Sequence, residues 1–177
     1  MKLNAICAIT GAALAMMAHG AAAQDSTNVV GSNTDWYVFE ENSPSKQCWS
    51  VSSPKETVNT DSNGNIKAVR RGEIMLFVSY APSAGVNGQV SFAGGYPFAG
   101  GSSVDMEIGG TSYQLISEGE TAWAASAADD SKIIAAMKRG ASATLTGRSA
   151  RGTVTKDTFS LLGFTASVED AGKRCGS

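Results

Sequence analysis

Histidine is nearly absent from this 177-residue sequence, and the single one, His19, lies near its start. Downstream of it no imidazole exists for a Ser-His-Asp triad, a Cys-His pair or a zinc site, which removes most familiar hydrolase designs. Cysteine is scarce too, at three: Cys7, Cys48 and Cys175, with no Cys-x-x-Cys spacing to make a redox pair. Charge of either sign is sparse too, at 14 Lys+Arg against 16 Asp+Glu, with no tract of like charge. That balance speaks against nucleic acid and against anionic membrane surfaces as main partners. No apolar stretch beyond residue 17 is long enough to span a bilayer.

The first 23 residues read as a secretory leader. Lys2 supplies the positive end, Leu3 to Met17 is apolar apart from Asn4, Thr10 and Gly11, and Ala21-Ala22-Ala23 supplies the small residues for cleavage between Ala23 and Gln24. The apolar run is shorter than the roughly 20 residues of a membrane-spanning helix. Cys7 sits inside that run, not after it, so it is no lipid-attachment site. The expected organisation is a signal peptide over 1–23, a flexible polar arm over 24–33 and one domain over 34–177. Such a chain has no transmembrane segment after cleavage and is periplasmic, outer-membrane-associated or secreted. In an oxidising compartment the remaining pair, Cys48 and Cys175, reads as one disulfide, with two free thiols as the alternative.

After the leader, Val outnumbers Leu twelve to five and 18 glycines punctuate the chain, a composition that favours strands and turns. Strands are expected at 35–40, at 46–53 around Cys48-Trp49, and at 73–80, where a nearly unbroken apolar run suggests cover on both faces. Further strands fall at 89–92, 104–108, 113–116, 143–147 and 153–161, with Gly109-Gly110 as a tight hairpin and Asn63-Gly64 as a second turn signal. One helix is well marked. Ser126 and Asp129 form a capping box, Ile133, Ile134 and Met137 make an apolar stripe, Lys138-Arg139 suit the last turn, and Gly140 stops it. Phe164, Val168, Ala171 and Cys175 share a helical face at the tail, a second short helix that docks by its cysteine. The expected fold is mainly β: an antiparallel β-sandwich or partly closed barrel with one or two short helices.

Several landmarks taken together resemble a known family. They are Asp35-Trp36, the Cys48-Trp49 strand, Val78-Ser79-Tyr80, the run Ala135 to Gly140, the run Phe159 to Ala166, and a closing Cys175. In this order they resemble the invasion-associated locus B family of exported alphaproteobacterial proteins, over essentially the whole mature domain. The resemblance implies a sandwich-like β domain outside the cytoplasm, with no described enzymatic activity.

Carboxylates are the only catalytic set left by composition: Glu40-Glu41, Glu118 with Glu120, Asp129-Asp130 and Glu169-Asp170. A carboxylate-dependent hydrolase acting on envelope material is therefore the alternative to a non-catalytic binding or structural module with host or envelope contacts. Asp129-Asp130 fit a helix start and Glu40-Glu41 a strand end better than a reacting pair. Asp61-x-Asn63-x-Asn65 lacks an acidic twelfth ligand, since Gly72 holds that position, and reads as a turn, not a calcium loop. The Gly-rich stretch from Phe92 to Gly101 lacks the Lys-Ser/Thr of a phosphate loop. It carries Tyr96 and Phe98, which either plug the core or face a partner. Arg148 and Arg151 flank a late turn. These four residues are the candidate partner-binding set, for an unknown protein or envelope partner. No catalytic residue, metal site or cofactor is expected.

Overall fold

The computed structural model describes residues 28–175, so the expected leader and the expected Ala23–Gln24 cleavage point lie outside the described residues. Alternation of side chains builds the domain. Eleven strands form: β1 (Val29–Asn33), β2 (Trp36–Glu41), β3 (Gln47–Ser52), β4 (Glu56–Thr60), β5 (Met75–Ala81), β6 (Val86–Ala93), β7 (Ser103–Ile108), β8 (Thr111–Glu118), β9 (Thr121–Ala124), β10 (Ser142–Arg148) and β11 (Val154–Ser160). Two helices join them, α1 (Ala127–Arg139) and α2 (Phe164–Cys175). All strands belong to one open sheet in the order β1-β2-β3-β5-β6-β9-β8-β7-β10-β11-β4, and each recorded pairing is antiparallel.

The sheet curls until its distant strands meet. The indole Nε1 of Trp36 on β2 donates to the Ser160 carbonyl of β11 at 2.9 Å, and the Asp35 N–H donates to the Leu162 carbonyl. On the concave side Phe92 meets Phe159 edge-on with ring centroids 6.1 Å apart, and Trp36 meets Phe164 of α2 at 4.8 Å. Removing each such ring from water contributes about 1.5–3 kcal/mol. Helix α2 lies against β1, β2, β3 and β5, whereas α1 lies against β6 and β9. The expected mainly β, antiparallel architecture with short helices is the one found, as a single curled sheet that is not closed.

Two expectations are corrected. Val29–Asn33, read from its polarity as part of a loose arm, is strand β1: it pairs antiparallel with β2, which supplies the backbone partners its side chains do not advertise. Strand β5 is not covered on both faces. Leu76, Val78 and Tyr80 are buried, while Met75, Phe77 and Ser79 stand half-exposed on the convex side. There Phe77 faces Val51 of β3, which faces Tyr37 of β2, so the apolar run reflects a partly covered outer row instead of a second core.

The locally encoded features form as read. Gly109 and Gly110, with φ of 57° and 79°, turn β7 into β8. Ser126 Oγ accepts from the Asp129 N–H and donates to the Asp129 carboxylate at 2.7 Å, capping α1. Cys48 and Cys175 are joined, with Cα atoms 5.7 Å apart.

Candidate ligand-binding site

The turn from β10 into β11 is built from its own backbone. The Gly152 N–H donates to the Ser149 carbonyl, the Ser149 N–H to the Thr153 carbonyl, and the Thr153 N–H to Ser149 Oγ. The Gly-rich loop after β6 is zipped onto this turn: the Ala99 N–H donates to the Arg148 carbonyl and the Ala150 N–H to the Pro97 carbonyl. The two segments that carry the four candidate binding residues are thus neighbours, although about fifty positions separate them.

Their side chains part company. Phe98 is 6% exposed and packs on Phe92 and Tyr96, so it is a core residue and not a contact for a partner. Its ring fills the space under the loop that a flexible glycine run cannot fill alone. Arg148 is exposed but lies outside the cavity beside the turn. Tyr96 and Arg151 do line that cavity, which measures about 510 Å³. Tyr96 is half-buried; its hydroxyl is 2.6 Å from Thr155 Oγ1, and burial raises its pKa despite the Thr155 hydrogen bond and the nearby Arg71 charge.

The opposite wall comes from the coil between β4 and β5, which sequence reading did not assign to a site. Asp61 anchors its tip by accepting from the Asn65 side-chain amide and from the backbone N–H groups of Asn65 and Asn63, and these bonds, the Asn65 side chain first, depress its pKa. This is a turn, and not a calcium loop. Further along, the Gly72 N–H donates to the Gly95 carbonyl at 2.8 Å. Gly95 sits at φ +70°, and a Cβ there would lie 2.6 Å from the Gly72 carbonyl oxygen, so only glycine lets the two chains touch.

Between these chains lies Arg71, with its side chain only 5% exposed. Its guanidinium pairs with both oxygens of the fully buried Asp157, at 2.7 and 2.6 Å, and donates to the Gly94 carbonyl and to Asn59. It also lies over the Tyr96 ring, 5.0 Å from the centroid. Lys67 and Arg70 from the same coil reach the cavity wall, with Glu120 the carboxylate on its lining. The signal for these residues lay in long-range pairing, β4 on β11 and Gly72 on Gly95, and in no local motif.

Most of the other acidic candidates are engaged elsewhere, while Glu41 and Glu118 stand exposed on strand ends. Glu40 meets Arg174 and Lys46, Glu169 meets Lys138, and Asp170 meets Arg174. Their partners hold Glu40 and Glu169 below the ordinary carboxylate range. Asp130 is buried and accepts from the Val90 N–H at 2.8 Å; desolvation raises its pKa. Among the described residues no group of three or more His, Cys, Asp or Glu is placed to hold a metal ion, and no helix is long and apolar enough to cross a membrane.

Neither a curated protein nor a solved structure matches the chain. Residues 40–172, three quarters of the sequence, match the family model described as "Invasion associated locus B (IalB) protein". That span runs from the end of β2 into α2 and takes in the Gly-rich loop, both walls of the cavity and the late turn. The chain therefore belongs to the invasion-associated locus B family.

Proposed function

We propose that this chain is an exported, non-catalytic binding module of the bacterial envelope whose contact site is the cavity between the Gly-rich loop, the late turn and the β4–β5 coil. One observation carries the reading. Tyr96 and Arg151, picked out as recognition residues by type, converge on one hollow of about 510 Å³, within the size range of small-molecule sites. A rigid frame of paired backbone and a buried ion pair holds that hollow open, as recognition sites require. The leader over residues 1–23 and the Cys48–Cys175 bridge support passage through an oxidising compartment. Carboxylates tied into ion pairs and caps support binding over hydrolysis, because a reacting pair must converge on a cleft.

The test places a photo-crosslinking amino acid at Ala150, which is exposed on the cavity lining, and in a second strain at Glu107, which pairs with Thr144 toward the end of β10 away from the turn, in the leader-bearing chain in living cells. The expected result is protein in the osmotic-shock or culture fraction, beginning at Gln24, with an adduct from position 150 and none from 107. Cytoplasmic protein with an intact leader overturns the export reading. Turnover of an envelope substrate that a single Asp or Glu substitution abolishes overturns the non-catalytic one.

A further inference from the structure

We propose that the cavity takes an anionic saccharide, a sugar bearing a phosphate or a carboxylate; this deepens, and rests on, its reading as the contact site. The chain as a whole is net negative, at −2, yet the cavity gathers Lys67, Arg70 and Arg151 against the single lining carboxylate of Glu120. Arg71 adds no free charge, since Asp157 behind it neutralises it. Among the described residues none of Lys67, Arg70 or Arg151 takes part in an ion pair. Three cations against the Glu120 carboxylate, with Asp61 close enough for Lys67 to lower its pKa, leave the hollow an excess of positive charge that an anion offsets. A cleft whose wall carries an excess of one sign of charge also concentrates the opposite sign from solution.

Size and wall chemistry narrow the class. A bare phosphate or carboxylate fills only a fraction of about 510 Å³, so the anionic group arrives on a larger body. The remaining wall mixes Val69, Pro97 and the Tyr96 ring with the hydroxyl-bearing Ser149 and Thr153, while the Thr155 hydroxyl is already bonded to Tyr96. A pyranose matches that mixture, laying its C–H face on apolar surface and exchanging hydrogen bonds through its hydroxyls. A flat aromatic base matches it less well. It needs an uncharged apolar slot, whereas Lys67, Arg70, Arg151 and Glu120 stand on this lining.

The experiment titrates the full folded chain with glucose 6-phosphate, digalacturonate, glucose and inorganic phosphate, followed by calorimetry and by backbone amide shifts. The expected result is saturable binding of at least one anionic sugar, with shifts at Tyr96 and Arg151 and none with glucose. Arg70→Gln and Arg151→Gln should each weaken it by about tenfold, the usual size of a lost charge-assisted hydrogen bond, with the melting temperature unchanged. Raising the salt to about 0.5 M should weaken it further, because the charges are exposed. Glucose binding as tightly, with shifts at the same residues, overturns the anionic class while leaving the contact site standing. Phosphate binding as tightly as its sugar ester overturns the saccharide. Binding by no probe, or binding that both Gln variants leave intact, overturns the proposal, and the crosslink from position 150 then separately decides the contact site.

Discussion

The Arg71 guanidinium meets Asp157 with both terminal nitrogens, while its Nε and one terminal nitrogen share the Gly94 carbonyl. Removing one partner of such a pair strands the other as a buried charge, at a cost of about 3–5 kcal/mol. Arg71→Met is expected to lose about that much in urea denaturation. Adding Asp157→Leu to it should recover part of the loss, because no charge is then stranded; a double variant less stable than the single would show that the pair is not the cause. Asp130 makes the opposite kind of residue. Desolvation lifts its folded-state pKa above the unfolded value, so its protonated form is favoured in the folded chain. Its contribution is then fullest below the ordinary carboxylate pKa and is lost as pH rises through the folded value. The stability of the wild type relative to Asp130→Asn should therefore increase as pH falls through that window, and a flat difference across paired melts would contradict it. Neither residue announces itself in sequence. Arg70 and Arg71 are identical neighbours, and only a partner 86 positions onward makes one of them structural and leaves the other on the cavity wall.

At the scale of elements, whatever depends on near neighbours was legible. The cap of α1, its cationic last turn, the Gly109-Gly110 hairpin and the cysteine face of α2 are all written within a few residues of where they act. Strands β4 and β9 were not. The first is Glu-Thr-Val-Asn-Thr and is held by β11; the second is four residues long and is held between β6 and β8. Pairing makes them strands, and pairing is not local. The same holds for β1, whose hairpin with β2 is locked by α2: Gly163, at φ +89°, brings the helix start so close to the β1–β2 turn that an added Cβ would collide with the Asn33 carbonyl oxygen. Gly163→Ala should cost on the order of 1–3 kcal/mol for the backbone conformation alone, with the collision added. Hydrogen exchange should show β1 amides opening first, and unchanged protection of β1 would mean that the turn does not seat it.

For the molecule as a whole, the question is what keeps an open sheet curled. Part of the answer is polar and crosses between distant strands: Trp36 to Ser160, and Lys55 to Asp35, whose pKa that ion pair depresses. The larger part is α2, which buries Phe164, Val168 and Ala171 and bonds Ser167 to Ser50 at 2.7 Å. The Cys48–Cys175 bridge fixes the far end of this helix to β3 across 127 positions. Loop-entropy arguments put such a closure at about 4–5 kcal/mol, and measured losses on removing native bridges run at about 2–5 kcal/mol. Cys175→Ser, or reduction, should therefore lower the melting temperature by about 5–15 °C for a chain of this size. The helix should not leave the sheet, because its apolar anchors sit toward its start and middle while the bridge holds only its end. Exchange protection should fall in the final turn and persist from Phe164 to Val168. An unchanged melting curve would remove the bridge from the list of what holds the domain, and loss of protection along the whole helix would make it the principal anchor instead of the last one.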